Sequence, residues 1–102
     1  MINYKYDVVF STKFKKMLKK IQKQNINLEE LFFVIDKLAN KEVLDIKYKN
    51  HNLANDKHYK NCYECHIRPD LLLIYQYNNE KLLLLLINVG SNSELFKWIE
   101  KK

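Results

Sequence analysis

Five side chains able to ligate a metal or move a proton fall within sixteen residues of one another: His51, His58, Cys62, Cys65 and His66. The last three sit in the string CYECH at 62–66, which has the spacing of a c-type haem attachment site. Such a cluster of imidazoles and thiols also raises the question of zinc. Both chemistries need the two thiols to converge. Residues 62–67 are strand-forming in type, and along a strand successive side chains alternate between faces. Cys62, Glu64 and His66 then project one way, and Tyr63, Cys65 and Ile67 the other. Thiols that point apart reach neither one porphyrin nor one tetrahedral zinc, so the expectation is a chain with no haem, no metal and no other cofactor. Cys65 is expected to be a small core residue and Cys62 a half-exposed one. What survives is His66 on the polar face of its strand, with Asp70 four residues later beyond Pro69. An imidazole ionises near neutral pH, which suits it to proton transfer.

The surrounding elements must position that pair. Tyr4 to Phe10 mixes aromatic and β-branched residues and reads as a first strand, and Ser11 offers a helix N-cap. Phe14, Met17, Leu18 and Ile21 then recur at helical spacing as one apolar stripe, while Lys13, Lys16, Lys20 and Lys23 form a basic one. Asn27 and Glu30 resemble a capping pair for a second helix, whose apolar face is Leu28, Leu31, Phe32, Ile35, Leu38 and Ala39. After Lys41 the periodicity is lost in a polar, basic loop. Strands follow at Cys62 to Ile67, Leu71 to Tyr77 and Lys81 to Asn88, the first two joined by a turn at Arg68, Pro69 and Asp70. A short helix over Ser91 to Trp98 closes the chain. This order predicts an α+β fold in which an antiparallel sheet is covered on one side by a helix hairpin.

Length and charge narrow the function further. The 102 residues suit a single domain, 1–102, with one core. The longest wholly aliphatic run is Leu82 to Ile87, too short to span a bilayer, and the lysine-dotted first thirty residues do not resemble a signal peptide. A cytoplasmic location is therefore expected, with reduced cysteines. A net charge of +6 favours polyanionic partners, nucleic acid first among them. Lysine supplies that charge almost alone. Arg68 is the sole arginine able to fork onto a phosphate with fixed geometry.

Three stretches taken together resemble one family: YKNHNL at 48–53, ECHIRPDLLLIYQ at 64–76 and VGSNSELF at 89–96. They are similar to the YafQ branch of the RelE toxin superfamily, with the block E-C-H-I-x-P-D-x-L-L-I-Y as the most specific part. The resemblance covers most of the chain. It implies two helices packed on a curved antiparallel sheet, and a toxin of a type II toxin–antitoxin operon that cleaves mRNA on the translating ribosome. A cognate antitoxin is implied as partner, with operator DNA reached only through the antitoxin complex and no membrane involved. Residue by residue, the family's loop histidine falls on His51, its strand histidine on His66, its turn aspartate on Asp70 and its terminal phenylalanine on Phe96.

Three family positions differ. Where most relatives end the last strand in Arg-x-Gly-x-His, this chain has Asn88, Val89, Gly90, Ser91 and Asn92. The tryptophan that often follows the turn aspartate is Leu71 here. Ribonucleases of this kind, as the resemblance implies, use the ribose 2′-hydroxyl as nucleophile and need no metal. One group removes its proton, another protonates the departing 5′-oxygen, and a cation steadies the phosphoryl charge. His51, His66 and Asp70 retain proton-transfer chemistry, whereas Asn88 carries no charge. The spacing around Gly90 predicts that positions 88 and 92 both still aim at the scissile phosphate. Either Lys47, Lys49, Lys57, Lys60 or Arg68 then supplies the cation to a weakened nuclease, or the chain is a poorly catalytic module that pairs with an antitoxin and acts in operon autoregulation.

Overall fold

The computed structural model describes residues 5–96. Strand β1 is Asp7–Phe10, helix α1 Thr12–Lys23 and helix α2 Glu29–Ala39. A 3-10 turn at Ile46–Tyr48 leads into β2 at His51–Asn52, and β3 (Tyr63–Arg68), β4 (Leu71–Asn78), β5 (Leu83–Gly90) and α3 (Asn92–Leu95) complete the order. The five strands form one sheet in the order β1-β5-β4-β3-β2. Its pairings are antiparallel except β1 with β5, which is parallel. A parallel pair needs a long crossover, and the helix hairpin together with the central strands supplies it. Among the described residues no helix is long and apolar enough to cross a membrane. Tyr4 and Trp98, the expected ends of the first strand and the last helix, lie outside the described residues.

Local chemistry explains the helices. The Ser11 hydroxyl accepts from the Phe14 N–H at 3.0 Å, the N-cap expected for α1, and Phe14, Met17 and Ile21 are buried beneath it. At α2 the side chain of Asn27 accepts from the Glu29 N–H, but Glu30 does not close a capping box. Its carboxylate instead accepts from the Tyr48 hydroxyl at 3.0 Å. The inward face of α2 also differs from the expected one. Val34 is buried and Phe32 is exposed, because the helix presents Leu31, Val34, Ile35 and Leu38 to the sheet. These residues meet Cys65, Leu73, Tyr75, Leu84, Leu86 and Val89 in the main core.

A smaller core lies on the opposite face of the sheet, where Tyr59, Cys62, Leu72, Ile74 and Leu95 pack together. Cys62 is therefore buried rather than half-exposed: the segment before β3 folds back and covers it. The two cysteines belong to different cores, as strand alternation requires. Burial pushes the Cys65 thiol up to about 12 and raises that of Cys62 as well. A thiol-specific chromogenic reagent at about pH 8 is thus expected to label neither cysteine in the native protein and both in denaturant. Rapid labelling of one thiol in the folded chain would contradict this burial.

Two bulges shift the sheet's alternation. Between His66 and Arg68 the β3–β4 register slips by one, so Arg68 pairs with Leu71 on the helix side. A second slip sets Tyr75 opposite Leu86 but Ile74 opposite Asn88. Each extra residue turns the remainder of its strand to the other face. At the end of β5, Gly90 leaves room for its neighbours, since a Cβ there would meet a Glu94 carboxylate oxygen at 2.9 Å and the Met17 methyl at 3.1 Å, and one of these side-chain ends would have to move. Glu94 in turn completes a capping box with Ser91 and pairs with Lys20 of α1. The Lys20 ammonium, followed by the Ser91 N–H, holds the Glu94 carboxyl below its usual range. This tie fixes α3 against α1.

Candidate active site

The sheet registers set four side chains in a row across one face: His51 opposite Glu64, Glu64 opposite Ile74, and Ile74 opposite Asn88. His66 stands one row further along, opposite Leu72. The two histidines converge on a single oxygen. His51 Nε2 lies 3.1 Å and His66 Nε2 3.4 Å from Glu64 Oε1, and the two rings are 6.2 Å apart. Glu64 is only 6% exposed, so its carboxylate is an internal acceptor. A buried carboxylate is tolerated when it is hydrogen-bonded, and the two imidazole Nε2 atoms lie in place to do this.

His51 is oriented from both sides. Its Nδ1 is 2.7 Å from the carbonyl oxygen of Lys49, and that carbonyl is presented because Lys49 adopts a left-handed backbone conformation, φ 48°, at the end of the 3-10 turn. A non-glycine residue in that region is uncommon and carries some strain. Both ring nitrogens therefore face acceptors, a carbonyl at Nδ1 and a carboxylate at Nε2.

Asp70 is exposed at the β3–β4 turn, and its Oδ1 lies 3.5 Å from the Asn92 N–H. Asn92 is thus the first residue of α3 and faces solvent beside Asp70. Asn88 has a different fate. It is 4% exposed, donating through Nδ2 to the Tyr59 hydroxyl at 3.1 Å while its Oδ1 accepts from the Val89 N–H at 2.9 Å. The Tyr59 hydroxyl donates onward to the Leu95 carbonyl at 2.9 Å. The expectation that 88 and 92 aim together at a phosphate therefore separates: Asn92 is open, and Asn88 is closed over by Tyr59. Phe96 packs edge-on against that same tyrosine, with ring centroids 5.4 Å apart.

The expected cations also divide. Lys49, Lys57 and Lys60 are exposed in the segments around β2. Lys47 turns toward Glu30 at 3.9 Å and over the Tyr48 ring. Because of the first bulge, Arg68 lines a recess with Asn27, Glu30 and Tyr48 at the start of α2, away from the face that carries His66. Leu71 is a buried residue of the main core.

Sequence reasoning passed over Glu64 as a functional group, although its alternation placed it on the His66 face. The signal available was an acid two residues from a histidine on one strand. The missing half was the pairing that brings His51 to it. Among the described residues no three His, Cys, Asp or Glu side chains are arranged to hold a metal ion; the Glu64 oxygen occupies the place between the two imidazoles.

Comparisons with known proteins agree on one family. The family described as "Bacterial toxin of type II toxin-antitoxin system, YafQ" matches residues 6–97. The mRNA interferase toxin YafQ of Escherichia coli strain B / BL21-DE3 is 30% identical over 91 residues, spanning 88% of this chain and 95% of the relative. The crystal structure of a metal-bound toxin from Helicobacter pylori superposes with a TM-score of 0.82 at 41% identity, covering 89% of this chain and 99% of that one. The E. coli DinJ-YafQ toxin-antitoxin complex gives a TM-score of 0.79 at 28% identity, covering 90% and 98%.

Proposed function

The chain belongs to the YafQ family of bacterial type II toxin–antitoxin toxins, and from that membership we propose that it is an mRNA endonuclease acting on the translating ribosome. The observation that carries the reading is the convergence of His51 and His66 on the buried Glu64 carboxylate. Attack by a ribose 2′-hydroxyl on the adjacent phosphorus needs a base and an acid. His66, donating through Nε2 to Glu64, leaves the Nδ1 lone pair to take the 2′ proton. His51, held at Nδ1 by the Lys49 carbonyl, is the acid: its Nε2 proton passes from contact with Glu64 to the 5′-oxygen as the P–O bond breaks. Glu64 orients both rings and balances their charge without touching substrate. Asp70 and Phe96 border the substrate path, and Lys49, Lys57 and Lys60 are the exposed cations that draw the phosphates in.

Catalysis in this chain is weakened. Asn88 offers no cation where most relatives carry arginine, and a missing transition-state donor costs roughly 10² to 10³ in rate. A protein antitoxin holds the toxin silent, as DinJ assembles with YafQ in E. coli, and contact with operator DNA runs through that complex. The burial of Asn88 also favours a second reading, a toxin fold that binds its antitoxin and regulates its operon but cuts poorly.

Inducing the chain alone and mapping mRNA ends in the cell separates the two. New ends are expected within translated messages and are expected to disappear when translation initiation is blocked. Ends that persist without translation would remove the ribosome from the mechanism, and no new ends at all would leave the second reading.

A further inference from the structure

On the helix side of the molecule, the loop that follows α2 holds two aliphatic side chains almost wholly in water: Val43 is 96% and Ile46 91% exposed. Isolated apolar residues on a surface need no explanation, but these form the crest of a ridge with a recess on each side. One recess, about 480 Å³, runs between the ridge, Leu38, Tyr63 and Tyr77. The other, about 410 Å³, runs between the ridge, Phe33 and Tyr48, and Phe33 is itself 52% exposed. Apolar clusters of this kind mark contact surfaces.

The ridge is built to stay out. Glu42 N–H donates to the Lys37 carbonyl at 2.9 Å, the Glu42 carboxylate pairs with Lys37 at 3.2 Å, and Asp45 caps the 3-10 turn through the Lys47 N–H. Val43 and Ile46 are held by these bonds on either side of Leu44 and Asp45. A preformed surface of this kind loses little freedom when a partner covers it.

We propose that this ridge and its two recesses are the surface on which the antitoxin lies, and that the covering segment is amphipathic, with aliphatic or aromatic side chains in the recesses and Asp or Glu along its edges. The inference rests on the toxin reading above. Charge specifies the edges: Lys37, Lys41, Lys47 and Lys49 outnumber Glu42 and Asp45 around the two recesses, and a basic excess remains after Lys37 pairs with Glu42 and Lys47 turns toward Glu30. RNA fits less well. Aliphatic crests offer phosphates nothing, and the two tyrosine rings of the first recess that could stack on bases are already engaged. Tyr63 stacks on Tyr75 at 5.6 Å, and the Lys41 ammonium sits 3.6 Å from the centre of the Tyr77 ring. Neither recess is lined by His51, Glu64, His66, Asp70 or Phe96, and although Lys49 borders the first, substitution at Val43 and Ile46 leaves it in place, so neutralisation and catalysis can be separated there.

The test uses the full chain with the protein encoded by the small open reading frame adjacent to its gene, purified and titrated calorimetrically. Val43→Asp with Ile46→Asp is expected to weaken that complex at least about thirtyfold, the effect of losing an interface hot spot. Val43→Ser with Ile46→Ser is expected to weaken it less. The parent complex is expected to weaken as salt is raised. Both positions are exposed, so circular dichroism and mRNA cleavage in a translation extract are expected to match the parent. A charged variant that binds the neighbour-encoded protein as tightly as the parent would overturn the surface alone. A folded variant that cuts mRNA poorly would also overturn it and assign the ridge to RNA or the ribosome. A parent that does not bind the neighbour-encoded protein at all would overturn the toxin pairing and the surface together.

Discussion

Alanine at His51 or at His66 is expected to lower mRNA cleavage by about 10² to 10⁴-fold, the range for losing a positioned acid or base. Glu64→Ala is expected to cost about 10²-fold although Glu64 touches no substrate, because it removes the acceptor that both imidazoles share. These losses are not expected to add. Once Glu64 is gone the rings are no longer held, and a further His51→Ala removes less than it does from the parent. Glu64→Gln keeps an oxygen acceptor without the charge and is expected to recover part of the loss. The fall for Glu64 variants is expected in kcat with KM nearly unchanged, as single-turnover cleavage on programmed ribosomes can show. Circular dichroism guards against unfolding. A Glu64→Ala protein that is folded and fully active would mean that the two histidines do not work as a coupled pair.

The second large effect concerns positions 88 and 92, which the fold treats differently. Asn92→His is expected to raise cleavage about tenfold or more, a conservative share of what an acid–base group contributes, because position 92 is exposed and its N–H lies beside Asp70. Asn88→Arg is expected to destabilise the protein by about 3 kcal/mol or more, since a longer, charged side chain must enter a space closed by Tyr59 and Leu95. For a domain of this size that corresponds to a drop of roughly 10 °C or more in Tm. Shortening the tyrosine should relieve the conflict. In Asn88→Arg with Tyr59→Ala the guanidinium can lie across Ile74 toward Glu64, and part of the stability is expected to return together with a gain in cleavage. Thermal melts of the two single variants and the double variant measure that coupling. An Asn88→Arg protein that melts with the parent would show that the space beneath Tyr59 opens without cost.

Much of this was legible in the residues, and for local reasons. The stripe of Phe14, Met17 and Ile21, the Ser11 cap and the opposite orientations of Cys62 and Cys65 come from periods of 3.6 and 2 that a short segment carries within itself. The resemblance in three stretches singled out His51, His66, Asp70 and Phe96 as candidates. What the segments could not carry was register. Whether His51 lands on Glu64 depends on how β2 pairs with a strand that begins eleven residues after it ends, and that pairing is fixed only when the sheet assembles. The two bulges act in the same way. Each adds one residue to one strand, and because side chains alternate with a period of two, a single extra residue reverses every face beyond it. That reversal sends Arg68 away from the histidines and buries Asn88 against Tyr59. The chemistry of each side chain was written in the sequence, while the company it keeps was decided by pairings between strands, whose free energy no single segment holds.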